Sequence, residues 1–128
     1  MAEITANVNW LAVIVGWVLA FLLGWLWYSP KLFGEKWAQG VGVELGGGGD
    51  MPMGAMISQA VGLFLLAWVV GVTAASNALL TFILIIAAIA VLMASGGLFA
   101  KKSTYAIRTE AGYLVAAAVV MFLAQAIL

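Results

Sequence analysis

The stretch Asn9-Trp-Leu-Ala-Val-Ile-Val-Gly-Trp-Val-Leu-Ala-Phe-Leu-Leu-Gly-Trp-Leu-Trp-Tyr28 decides the fold. No charge interrupts it. As a helix rising about 1.5 Å per residue, a run of this length reaches about 30 Å, the thickness of a bilayer's hydrocarbon core. Trp10 stands at one end and Trp25, Trp27 and Tyr28 at the other. Indole and phenol rings favour the headgroup level, where an apolar body and a polar tip both find partners. These four, with Trp37 further on, read as interface anchors. Gly16, Ala20 and Gly24 recur every fourth residue and share one helix face. Such a small-residue stripe lets another helix approach closely in lipid.

The rest of the chain agrees with a membrane reading. Of 128 residues, 66% are hydrophobic and 8% charged, with mean hydropathy +1.19. A soluble domain carries about 25% charge. The length suits a single integral membrane domain over 1–128, with four spans as its natural maximum. Five Lys and Arg balance five Asp and Glu. That balance leaves no basic face to neutralise phosphates and argues against nucleic-acid binding. Cys and His are both absent. With them go thiol nucleophiles, the commonest metal ligand and the commonest general base. The first seven residues carry Glu3 and no basic residue, so the first run reads as a retained span and not as a cleaved signal.

Four spans are expected, at 9–28, 53–75, 79–99 and 109–128, the last with a helix that could begin near Thr104. Asn7 or Asn9 should cap the first. Ser29-Pro30 ends it, and Ser29 could cap a short amphipathic helix at 30–39. Phe33 and Trp37 share a face of that helix, which suits the headgroup level. A Gly-rich loop covers 40–52, where Gly46–Gly49 cost too much backbone entropy for a helix. On the second span Gly54, Ser58 and Gly62 form one small-residue stripe; Ala67, Gly71 and Ala75 form another. Ser76-Asn77 is a tight link to the third span. The fold class is therefore all-α: a four-transmembrane-helix bundle with a short interfacial helix between helices 1 and 2.

Charge sets the orientation. Lys31 and Lys36 lie between spans 1 and 2, and Lys101, Lys102 and Arg108 between spans 3 and 4. With four spans these links share one side, and the other side holds no basic residue. By the positive-inside rule both termini face out, and loops 29–52 and 100–108 face the cytoplasm.

The run from Asn9-Trp10 through Trp27-Tyr28-Ser-Pro-Lys-Leu-Phe33-Gly34-Glu-Lys-Trp37 resembles the signature of a bacterial membrane family catalogued as domain of unknown function 1761. Glu110-Ala-Gly112-Tyr113 resembles that family's last span. The resemblance covers nearly the whole chain. It implies a small four-helix protein of the bacterial inner membrane, and carries no activity or site residues with it.

Polar groups inside spans are costly and mark function or helix-to-helix glue. Gln59 and Ser95 lie at similar depth, so a hydrogen bond between them is expected. Glu110, near the start of span 4, is expected to favour the helix N-terminus and to pair with Lys31, Lys36 or Arg108. Trp17 and Trp68 lie deeper than the anchors. An indole N–H at that depth wants a partner, and the two side chains could pack against each other, face lipid, or contact a pigment, quinone or partner subunit. The pattern offers no catalytic, cofactor-binding or metal-ligating set. The expected function is a non-catalytic, self-associating or accessory subunit of a membrane complex, partnered by the lipid bilayer and by copies of itself or a larger assembly. The alternative is an oligomeric small-molecule transporter or channel.

Overall fold

Long apolar runs can satisfy their backbone in lipid only by folding as helices. The computed structural model describes residues 2–29, 32–41 and 53–128, and among these every regular element is helical. The Gly46–Gly49 loop, Pro30 and Lys31 lie outside the described residues. In chain order the helices are α1 (Ala2–Thr5), α2 (Trp10–Trp27), α3 (Gly34–Val41), α4 (Met53–Ala75), α5 (Leu79–Phe99) and α6 (Thr104–Ile127). The four long ones are each long and apolar enough to cross a membrane.

Local chemistry sets their ends. Of the two candidate caps, Asn9 serves: its side-chain oxygen accepts from the Ala12 N–H at 3.1 Å. Asn7 instead adopts φ 61° between α1 and α2. The α4–α5 link is a left-handed cap. Asn77 takes φ 53°, its N–H donates to Ala74 O, and the Ala78 N–H donates to Thr73 O at 2.8 Å. Lys101 closes α5 the same way, at φ 60°, with the Lys102 N–H on Gly97 O. Ser103 caps α6 by accepting from the Ala106 N–H at 3.0 Å. The last helix therefore starts at Thr104, five residues ahead of position 109.

The long helices pack in sequence, α2 on α4, α4 on α5, α5 on α6, and α6 back on α2. This is an up-down-up-down bundle. Across one diagonal α4 also touches α6, which closes the interior. The core holds Val13, Ala20, Leu63, Val70, Ala117 and Met121.

Small residues decide which faces meet. A Cβ placed on Gly16 would stand 3.2 Å from the Met121 backbone, and one on Gly24 would stand 2.8 Å from the Tyr113 hydroxyl. Ala20 between them is fully buried. The Gly16–Ala20–Gly24 stripe is thus the seat of α6 within one copy. On α4, Ala67 and Gly71 turn inward, with Gly71 against Val13 and Val8. Gly54, Ser58 and Gly62 turn outward, and among the described residues a Cβ on either glycine would meet nothing within 4 Å.

α6 has 24 residues, about 36 Å. Its first turns project past the end of α2 and give α3 a surface. The Ser103 N–H donates to Gly40 O at 3.1 Å, and a Cβ on Gly40 would overlap the Ser103 hydroxyl. The expected helix at 30–39 is present but starts at Gly34 and runs through Gly40 and Val41. Ser29 is not its cap. Its hydroxyl donates back to Leu26 O, while its carbonyl accepts from the Leu32 and Gly34 N–H groups.

Candidate functional site

The polar groups of the bundle gather at the end that carries the lysines, where α2, α3 and α6 meet. Phe33, Trp37, Trp27 and Tyr28 lie on α2, α3 and the turn between them. Trp27 Nε1 donates to the Thr109 carbonyl at 2.9 Å, and its ring packs on Phe33 at 4.8 Å. Tyr28 meets Trp37 edge-on at 4.9 Å and Tyr113 at 5.6 Å. Trp37 Nε1 donates to Glu110 Oε2 at 3.0 Å. Lys102 Nζ donates to both Glu110 oxygens, at 2.9 and 3.0 Å. The Glu110 side chain is only 15% exposed, so this ion pair is partly screened from solvent.

One turn deeper, the Tyr113 hydroxyl donates to Ala20 O at 2.6 Å. Gln59 is exposed on α4. Lys36, on the outward side of α3, sits 5.4 Å above the Tyr105 ring, a cation–π contact.

Several expectations change here. Of the five interface anchors, Trp27, Tyr28 and Trp37 are half-buried against protein, and Trp10 and Trp25 face outward. The reason is the projecting start of α6, which supplies a carbonyl and a carboxylate where lipid headgroups were expected. Glu110 is the seventh residue of α6, too far in for the helix N-terminus to hold it. Its partner is Lys102, not Lys36 or Arg108, and Lys31 lies outside the described residues. No hydrogen bond joins Gln59 to Ser95. Trp17 and Trp68 do not touch. Trp17 donates to Ala60 O at 2.9 Å and packs on Phe64. Trp68 donates to Ile4 O at 2.7 Å and packs on Trp10, at the opposite end of the bundle.

Sequence reading missed Tyr113, Lys102 and the Gly40–Ser103 contact as parts of one site. The available signal was the Ser103 cap, which places Glu110 and Tyr113 one helical turn apart on a helix already running. Chemically the cluster is a clamp. One carboxylate gathers an ammonium from the α5–α6 link and an indole from α3, and so ties three segments together. The two stretches that meet in it, around Trp27–Trp37 and Glu110–Tyr113, are far apart in the chain. Residues 11–125 match the family described as a protein of unknown function, DUF1761. No curated protein and no solved structure matches the chain.

Proposed function

We propose that this chain, which belongs to the DUF1761 family, is a non-catalytic membrane subunit that self-associates through the outward face of α4. The observation that carries the reading is the contrast between two stripes. The stripe on α2 is covered by α6. The stripe of Gly54, Ser58 and Gly62 on α4 is exposed, and no other described residue lies over either glycine. Side-chain bulk is absent where another helix could approach to backbone distance, and close approach is what drives association between helices in lipid. α4 contacts α6 across the bundle, so a solute pathway, in the alternative reading, would lie between copies. In this reading the protein lies in a bacterial inner membrane with both termini outside, and the lysine-bearing end faces the cytoplasm.

The chain has no cysteine, so single cysteines report cleanly. Gly62→Cys, oxidised in native membranes, should give a disulfide-linked dimer, and Leu84→Cys on the exposed face of α5 should not. Gly62→Leu should lower the oligomer fraction in mild detergent. A monomer in both assays would refute self-association. A cysteine scan that finds α4 water-accessible along its length would assign a pathway between copies instead. For orientation, an impermeant maleimide added to intact cells should label Asn77→Cys and spare Lys101→Cys.

A further inference from the structure

We propose that Lys36 of α3 and Arg108 of α6 bind the phosphodiester headgroup of an anionic phospholipid, in the leaflet at the lysine-bearing end of the bundle. Tyr105 links the two cations. The Lys36 ammonium sits 5.4 Å above its ring. Arg108 follows Tyr105 by three residues on α6, a spacing that makes side chains surface neighbours, with about 5–6 Å between Cβ atoms. Lys36, Tyr105 and Arg108 are all exposed. Two contacts fix α3 against α6: Trp37 donates to Glu110, and Gly40 O accepts from the Ser103 N–H. The clamp that ties these helices thus also sets two cations, from distant parts of the chain, around one ring.

Charge selects the ligand. Glu110 is taken by Lys102, the one ion pair among the described residues. Glu35 precedes Lys36 directly, and adjacent residues on a helix do not face each other. Among the described residues, therefore, no carboxylate pairs with Lys36 or Arg108, and the two like charges repel until an anion lies between them. A guanidinium meets phosphate oxygens in a bidentate pair, an ammonium adds a point charge, and the exposed phenol can donate a third hydrogen bond. Depth selects the source of the phosphate. The indole of Trp27, the last residue of α2, reaches the Thr109 carbonyl and so is level with it. Thr104–Arg108 stand beyond that level, about 7 Å of helix. The headgroup layer on one side of a bilayer is about 5–8 Å thick. Tyr105 and Arg108 therefore stand in the layer that holds lipid phosphates. A zwitterionic lipid brings its own cation to this surface and is the weaker ligand. The site lies on α3 and α6, away from the α4 stripe, so it stands or falls apart from self-association.

The test is native mass spectrometry of the intact protein, released from dodecyl maltoside and titrated with phosphatidylglycerol or with phosphatidylcholine of the same acyl chains. Phosphatidylglycerol should bind about 25-fold more tightly, about fivefold for each cation. Lys36→Gln and Arg108→Gln, both at exposed positions, should each weaken it about fivefold, and the double variant should bring the two lipids level. Lys36→Arg keeps the charge and should keep the preference. Lys101→Gln removes another exposed cation from the same end and should change the affinity by less than about twofold. A loss in Lys101→Gln equal to that in Arg108→Gln would overturn the site in favour of diffuse charge attraction. So would an undiminished preference in the double variant. Glycerol phosphate in millimolar excess carries the charge without acyl chains and should leave the lipid bound; displacement by it would overturn the lipid in favour of a soluble phosphate ester.

Discussion

The contact between Gly24 and Tyr113 gives the sharpest test of the packing. A methyl group on Gly24 would stand 2.8 Å from the Tyr113 hydroxyl and 3.0 Å from the ring carbon that bears it. That hydroxyl is held by its 2.6 Å hydrogen bond to Ala20 O. Gly24→Ala should gain about 1 kcal/mol of helix propensity. Against this stand about 1 kcal/mol for the displaced hydrogen bond and about 2 kcal/mol for overpacking. The net is a loss of about 2 kcal/mol. Tyr113→Phe alone should cost about 1 kcal/mol. In the double variant the methyl group enters space left by the hydroxyl, and the freed ring can shift by a few tenths of an ångström. The pair should then cost about 0 kcal/mol, because the propensity gain offsets the lost hydrogen bond, against about 3 kcal/mol for the sum of the single changes, a coupling of about 3 kcal/mol. Reversible unfolding in mixed micelles, followed by fluorescence of Trp27 beside Tyr113, measures all four corners of the cycle. Strict additivity would falsify the contact as described.

Three further outcomes follow from the same contacts. Glu110→Gln leaves Lys102 without its counter-charge and should destabilise by about 1 kcal/mol, with faster amide exchange confined to α3 and the start of α6. Gly40→Ala collides with the Ser103 hydroxyl and strips the α6 cap, so it should cost at least the roughly 1 kcal/mol of a lost N-cap; Ser103→Ala supplies the reference value. Lys101→Gly should stabilise by about 1 kcal/mol, because a left-handed backbone at φ 60° carries no penalty for glycine; a lower melting temperature would contradict the cap.

The four spans were legible because length and the absence of charge are local properties. Asn9–Tyr28 needs no partner to be read as a span. The clamp was not legible, for a physical reason that differs by residue. An indole at the end of a span looks the same in sequence whether it meets headgroups or a neighbouring helix. Trp25 and Trp27 are two residues apart, yet one faces outward and the other donates to Thr109. The rotation of each helix decides between them. Rotation also undid the Gln59–Ser95 pairing, since equal depth on adjacent helices does not make two side chains face each other. Both small-residue stripes on α4 were visible, but which turned inward was settled only by the bulk of α2 beside Gly71. The Lys102–Glu110 pair is eight residues apart across a helix start, outside the i,i+4 spacing that pattern reading favours.

The position of α6 also bears on how the chain is made. α6 contacts each of the other three long helices, yet it is the last to be synthesised. The ribosome must therefore deliver α2, α4 and α5 into the membrane before their common partner exists. α5 has the most apolar sequence of the four and the least burial in the finished bundle, and α6 has the least apolar sequence and the most burial. α5 can wait in lipid unaided. α6, carrying the partly buried Glu110 and Gln125, enters a site its predecessors have already assembled, and protein replaces part of the water around these two groups on arrival. Truncating the gene before α6 should leave three inserted helices that degrade quickly, since the surface they share is the one they were built to offer.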